Sequence, residues 1–481
     1  PSVPYLCERM RTALIIACCL AVVLCSPRNY YKEVASEAEL GEAQANWYDE
    51  QLLDHFDKVD ISYWSQKFYI NDTYYTPGGP VLLFLGGEGP ESPKCVGGYF
   101  YVNTFAKMLG GLIVDLEHRY YGESIPVEDY ATENMHYLSS EQALADTARF
   151  ISYFTDAGMY DVEGAPWIAI GGSYSGNLAA WMRLRYPHLI AGALASSAPV
   201  KAEVDYYQYF DVVQASLGTS SYGNQCTQAV ADAVTRAETL IATKSGRDEL
   251  FRMFNLCDDI DYSDVNDVAN FMSLLDDPIA GTIQYAKPGD IEALCTDIVD
   301  GPNSSTLENI AELVAAEYYP GCVDASYQST IDSMLDLDPT AETASERAWT
   351  WQCCTEFSYW QTGTTSDVVS ELVDVDYFHS WCSDVFGIEA EEADMQTAQT
   401  NVLYGAEKQR ISNVFYANGD VDPWHALGNM FDNPASPRYV MHGTSHCADM
   451  YATKLDDPAP LATIREFQLQ AMNEWIRTWK A

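Results

Sequence analysis

The sequence predicts an α/β protein whose sheet is split by a long helical insertion. Three observations predict it. Compact apolar runs alternate with a helix-patterned stretch between residues 66 and 199, the texture turns Asp-rich and Cys-bearing from about 200 to 395, and strand character returns after 411. At 481 residues the chain exceeds the usual single-domain size, so a large core plus an insertion is expected.

The first element is a leader. In "CERMRTALIIACCLAVVLCSP", Arg9 and Arg11 precede an apolar run from Ala13 to Leu24. A bilayer span needs roughly 20 apolar residues, so this run fits a signal peptide over residues 1–25, with Met10 a candidate initiator. The remainder is expected to have no membrane anchor and to be secreted or lysosomal.

The first part of the core is expected over residues 46–200. "VLLFLGG" (81–87), "GLIVDLE" (111–117) and "WIAIGG" (167–172) are short apolar runs ending in Gly or an acid, as buried parallel strands do. Between the last two, "SSEQALADTARFISYF" opens on Ser139 or Ser140 as a candidate N-cap and continues at helical spacing. Residues 201–394 are read as an inserted helical domain. The second part of the core, 395–481, holds strands in "ISNVFYANG" (411–419) and "RYVMHG" (438–443) and a closing helix from Leu461 to Lys480.

Of thirteen cysteines, Cys7, Cys18, Cys19 and Cys25 fall in the leader. The other nine, most of them between 226 and 382, lack paired CxxC spacing, so disulfides are expected and no metal is. Their odd number leaves one thiol unpaired or intermolecular. Sequons at Asn71 and Asn303 are expected to carry glycans. A net charge of -44, from 26 basic against 70 acidic residues, would repel phosphate backbones and anionic membranes, which excludes nucleic acid as a partner.

The stretch "WIAIGGSYSGNLAAW" carries the chemistry. A tight strand-to-helix turn that exposes a nucleophile needs small residues two before and two after it. Gly171, Ser173 and Ser175 meet that need as a near match to GxSxG, with Ser173 the candidate nucleophile and Ser175 its rival. An ordinary glycine turn is the plain alternative; the strand before and the helix after favour the nucleophile.

A serine nucleophile needs a base and the base an orienting carboxylate, in the chain order Ser, Asp, His for this architecture. "YANGDVDPWHALG" and "MHGTSHCADMY" each follow an apolar run and supply Asp422 and His446. A lone Asp before Pro is usually a turn former and a lone His an unremarkable one; order and strand context together single these two out. Asp420, His425 and His442 compete locally.

These segments resemble one family. "QLLDHFD" (51–57), "FLGGEGP" (84–90), "EHRYYGES" (117–124), "LSSEQALAD" (138–146), "GGSYSGNLAAW" (171–181), "CCTEFSYWQT" (353–362), "NGDVDPWHALG" and "GTSHCADM" look like successive landmarks of the serine peptidases that include lysosomal Pro-X carboxypeptidase, dipeptidyl peptidase II and thymus-specific serine protease. The wording is most similar to the thymus-specific branch. The resemblance implies an α/β-hydrolase core with an inserted disulfide-bearing cap, no cofactor, and hydrolysis of peptides beside one terminus, often after proline. It implies Ser173 as nucleophile, Asp422 as acid and His446 as base, with an oxyanion hole from the N–H of Tyr174 and one near Gly87 in "GGEG".

Three departures stand out. Ser175 replaces the third glycine of the usual GGSYGG, and Asn177 stands where the carboxypeptidase has a pocket methionine, which weakens a strict proline preference. Cys353, added beside Cys354, is the candidate spare thiol. Trp424, with Phe357, Tyr359 and Trp360, is expected to wall the acyl-side pocket, against a core-packing alternative. Glu88 is a candidate partner for a substrate's free amine, against a plain solvated acid. The expected enzyme is thus a serine exopeptidase acting on peptides, with a homodimer left open. A lipase or esterase of the same fold, and a binding protein with a broken triad, are the rival readings.

Overall fold

The computed structural model describes residues 43–480 except 60 and 319, so the leader, Met10 and the four cysteines assigned to it lie outside the described residues. The strands in chain order are β1 (Asn46–Leu52), β2 (Tyr63–Asn71), β3 (Val81–Leu85), β4 (Leu112–Leu116), β5 (Trp167–Gly172), β6 (Ile190–Ser196), β7 (Glu203–Asp205), β8 (Ser358–Trp360), β9 (Val414–Gly419) and β10 (Arg438–Met441). Eight of them form one sheet in the order β1-β2-β4-β3-β5-β6-β9-β10. The pairs from β4 through β10 are parallel, while β1 and β2 run antiparallel at one edge. This is an α/β-hydrolase fold.

Every residue of β3, β4, β5 and β6 is buried, because helices cover both faces of the sheet. One face packs on the helices Ser140–Asp156 and Tyr174–Arg185, the other on Val102–Leu109 and Ala459–Thr478. The expected N-cap is realised: Ser139 accepts from the Gln142 N–H at 3.2 Å. Sequence reading found β3, β4, β5, β9 and β10 but passed over β1, β2, β6, β7 and β8. The alanine- and glycine-rich "IAGALAS" of β6 has little β propensity. Its Gly192 is required by the partner helix, since a Cβ there would sit 2.1 Å from the Trp475 ring.

Between β6 and β9 the chain forms a run of helices from Gln208–Leu217 to Ala390–Tyr404. The division expected at 394 falls inside that last helix, whose Tyr404 stacks on Trp181 with centroids 3.9 Å apart. Continuous helical hydrogen bonding thus carries the insertion ten residues further than its composition suggested. Disulfides join Cys226 to Cys295, Cys257 to Cys322 and Cys354 to Cys382. Cys95 is also disulfide-bonded, and among the described residues two thiols are free, the expected Cys353 and the unexpected Cys447.

The two sequons differ. Asn303 lies on an exposed turn. Asn71 is half-buried and its Nδ2, the atom a glycan would occupy, donates to the Val96 carbonyl at 2.7 Å. Among the described residues no helix is long and apolar enough to cross a membrane.

Candidate active site

The turn between β5 and the helix Tyr174–Arg185 explains its own composition. Ser173 is held at φ 58° and ψ -132°, a conformation that side chains rarely adopt and that marks stored backbone strain. A Cβ on Gly171 would lie 2.1 Å from the Ser175 carbonyl oxygen, and one on Gly176 2.8 Å from that of Ser196. Small residues are obligatory at both places. The Ser173 N–H donates to the Ser196 carbonyl at 2.9 Å, so β6 braces the turn.

Ser175 is occupied differently. Its hydroxyl donates to the Gly172 carbonyl at 2.8 Å and accepts from the Gly172 N–H at 3.0 Å, which makes it a clasp of the turn rather than a rival nucleophile. Gly87 packs against it: a Cβ there would meet the Ser175 Cβ at 3.6 Å, so the "GGEG" loop lies directly on the elbow. The Tyr174 side chain anchors the other side. His118 Nδ1 lies 2.7 Å from the Arg119 carbonyl and must carry the proton there, leaving Nε2 to accept from the Tyr174 hydroxyl at 3.0 Å. Burial pushes His118 down to about 4, consistent with a neutral ring. Gln352, from the inserted helices, donates to the same hydroxyl at 2.9 Å.

At the C-terminal end of β9, Asp422 caps the short helix Pro423–Leu427. One carboxylate oxygen accepts from the Trp424 N–H at 3.0 Å and stands 2.9 Å from His446 Nδ1. Both side chains are buried, and His446 Nε2 has no hydrogen-bond partner among the described residues. Burial opposes the imidazolium, but the Asp422 charge, aided by the adjacent Cys447, outweighs it and holds His446 well above the ordinary histidine range. The competitors are spent elsewhere. Asp420 pairs with the exposed His442 at 2.8 Å, and His425 reaches only the main-chain carbonyl of Asp422 at 2.6 Å.

The elbow and the base meet through β6. Ser196 accepts from Ser173, and the next residue, Ser197, accepts through its hydroxyl from the Cys447 N–H at 2.8 Å. Ser173 and His446 thus share the C-terminal edge of the sheet, where open α/β sheets place their ligands.

The pocket residues divide. Asn177, one turn into the elbow helix and fully buried, donates from Nδ2 to the Pro199 carbonyl and to the Tyr359 hydroxyl, each at 3.2 Å. The Tyr359 ring meets Trp424 edge-on at 5.4 Å, and Trp424 lies 6.4 Å from the His446 ring. These residues form one continuous line of contacts from the elbow helix to His446. Phe357 stacks behind Tyr359 at 5.5 Å. Trp360 does not belong: strand alternation turns it the other way, where it stacks on Phe378 at 5.2 Å within the insertion.

Glu88 is buried, and burial raises its carboxyl to about 8 despite a stabilising charge interaction with His446. It is therefore no solvated loop acid. Sequence reading missed the residues the insertion contributes, Gln284 and Gln352, because a glutamine in a helical stretch carries no signal of what lies across the fold.

Residues 51–468 match the family described as serine carboxypeptidase S28. Thymus-specific serine protease from Mus musculus is 32% identical, covering 90% of this chain and 87% of that protein. Lysosomal Pro-X carboxypeptidase from Mus musculus is 28% identical over 89% of this chain and 88% of its own. Among solved structures, proline iminopeptidase of Mycobacterium smegmatis aligns at 14% identity and a TM-score of 0.38, covering 86% of this chain and 97% of that one.

Proposed function

The chain belongs to the serine carboxypeptidase S28 family and is a serine peptidase; from the geometry of its site we propose that Ser173, His446 and Asp422 are its catalytic triad and that it trims peptides beside one terminus. Ser173 attacks the peptide carbonyl while His446 Nε2 takes the hydroxyl proton. The same proton passes to the leaving amine, and water then hydrolyses the acyl-enzyme by the reverse route. Asp422 holds the ring with Nδ1 protonated, and once the raised His446 has lost its second proton Nε2 is free to act as base. The N–H groups of Tyr174 and Gly87 receive the developing oxyanion.

The observation that carries this reading is the buried contact of Asp422 with His446 Nδ1, with Nε2 left unpaired among the described residues, on the same edge of the sheet as a serine held in elbow strain. The acyl-side pocket is walled by Asn177, Tyr359 and Trp424. An amide in that wall suits small residues as well as proline. Glu88 is proposed to receive a cationic substrate group, since an ion pair would offset the desolvation that now keeps it protonated. Disulfides and the lysosomal relative are compatible with the secretory pathway, and secretion or lysosomal residence is proposed for this chain.

The test is active-site labelling with a fluorophosphonate, followed by product analysis on peptides with free and blocked ends. The label is expected on Ser173 and lost in Ser173→Ala together with hydrolysis. Internal cleavage of doubly blocked peptides would reject the exopeptidase assignment while leaving the triad standing.

A further inference from the structure

The helix Val265–Gln284 ends at the catalytic centre, stopped by the "YAKPG" that follows it. Its last residue, Gln284, is 4% exposed and uses its polar atoms unevenly. The main-chain carbonyl accepts from the His446 N–H at 2.9 Å. Oε1 accepts twice, from the Trp424 indole N–H at 3.0 Å and from the Tyr209 hydroxyl at 2.7 Å. Because an indole N–H can only donate, the amide cannot be turned around: Oε1 faces Trp424 and Nε2 faces away from it. Nε2 has no partner among the described residues. Tyr285, the next residue, lays its ring edge-on to His446 at 5.9 Å.

Buried polar groups are paired in the great majority of cases, and one left unpaired beside a reacting centre points to a group that arrives with the ligand. We propose that Gln284 is a substrate-binding and positioning residue supplied by the inserted helices: it clamps the His446 segment and Trp424, and its Nε2–H donates to a main-chain carbonyl on the acyl side of the bound peptide. This rests on the triad reading above. The chemistry names the ligand. The proposed occupants of the acyl-side pocket, proline or a small apolar residue, offer no acceptor in their side chains, whereas the main chain ahead of that residue offers a carbonyl oxygen. The substrates are therefore peptides with at least two residues on the acyl side of the cleaved bond. A single aminoacyl group lacks the required carbonyl.

The experiment compares a dipeptidyl anilide with its (E)-alkene isostere, which keeps the shape between the two residues and removes that carbonyl. Wild type and Gln284→Glu are measured on both. The ionised glutamate keeps the acceptor for Trp424 and Tyr209 and loses the donor, so the variant is compared on the alkaline side of its pH profile. The isostere is expected to lower wild-type kcat/KM by about 10-fold or more, the scale of one good hydrogen bond. Gln284→Glu is expected to raise KM for the parent substrate by about as much, with kcat nearly kept and the isostere unaffected. A merely structural amide, or one satisfied by a resident water, would cost both substrates equally, and that result overturns the proposal. If Gln284→Glu does not fold, the wild-type comparison decides alone, because equal turnover of the two substrates also overturns it. Failure of the triad reading is separately visible as a fluorophosphonate label absent from Ser173.

Discussion

Asp422 and His446, 24 residues apart in sequence, meet through Oδ1 and Nδ1 at 2.9 Å in a site closed to solvent. A carboxylate can only accept, so this contact selects the tautomer that leaves Nε2 free. Asp422→Asn keeps the shape and presents the wrong tautomer. Turnover is expected to fall on the order of 10⁴, by analogy with the worked serine-protease triad. Asp420→Asn, whose partner His442 is on the surface, is expected to stay within about 2-fold. Steady-state kinetics of the two variants side by side check the assignment, and a dead Asp420→Asn would reverse it.

Ser175 is expected to be structural. Ser175→Ala removes both bonds to Gly172 and leaves two buried main-chain groups short of a partner, a loss of about 1 to 3 kcal/mol. Fluorophosphonate labelling of Ser173 should persist while the thermal midpoint drops. Labelling lost in Ser175→Ala and kept in Ser173→Ala would exchange their roles.

Adjacent cysteines are expected to behave oppositely. Cys354 closes a loop to Cys382, and its loss typically costs about 2 to 5 kcal/mol, enough to impair secretion. Cys353 is a free buried thiol, so Cys353→Ala leaves the bond intact and yield nearly unchanged. Equal secretion defects in the two variants would show that Cys353 is not spare.

Specificity should respond to Asn177. Asn177→Met removes the donor that holds Pro199 and Tyr359 and places an apolar chain in the wall. The ratio of kcat/KM for cleavage after proline over cleavage after alanine is expected to rise by about 10-fold, the scale of 1.4 kcal/mol. Matched peptides differing only at that residue measure it, and an unmoved ratio would remove Asn177 from the pocket.

Stability should depend on pH through a buried acid cluster. Glu91 and Asp115 are both raised, chiefly by burial and then by neighbouring carboxylates, with Glu117 and Lys67 beside them. Glu88 is raised to about 8 and Glu356 to about 7. A carboxyl whose folded value lies above its unfolded one binds more protons when folded, so its contribution is full below about pH 4.5 and falls as pH climbs toward 8. His118, held to about 4, opposes this below pH 6.5. The discriminating measurement is therefore a variant: Asp115→Asn should flatten the fall in thermal midpoint between pH 5 and 8 relative to the parent. An identical slope in both would assign the pH response to other groups.

The sequence by itself determined the parts whose chemistry is local. The strand, strained serine turn and helix from 167 to 185 lie in one continuous stretch, and steric demand alone dictates glycine at 171. The order of the proposed Ser173, Asp422 and His446 could be read because each sits where an apolar run ends. Only the tertiary structure showed which Asp meets which His, since Asp420 and Asp422 share one loop and differ in the direction they leave β9. It also separated Tyr359 from Trp360: neighbours in a strand face opposite sides, and composition does not say which side faces Trp424. Gln284 was illegible for the deepest reason. Its three hydrogen-bond partners, His446, Trp424 and Tyr209, come from segments 75 to 162 residues away, and a glutamine acquires that role only when the inserted helices close on the sheet.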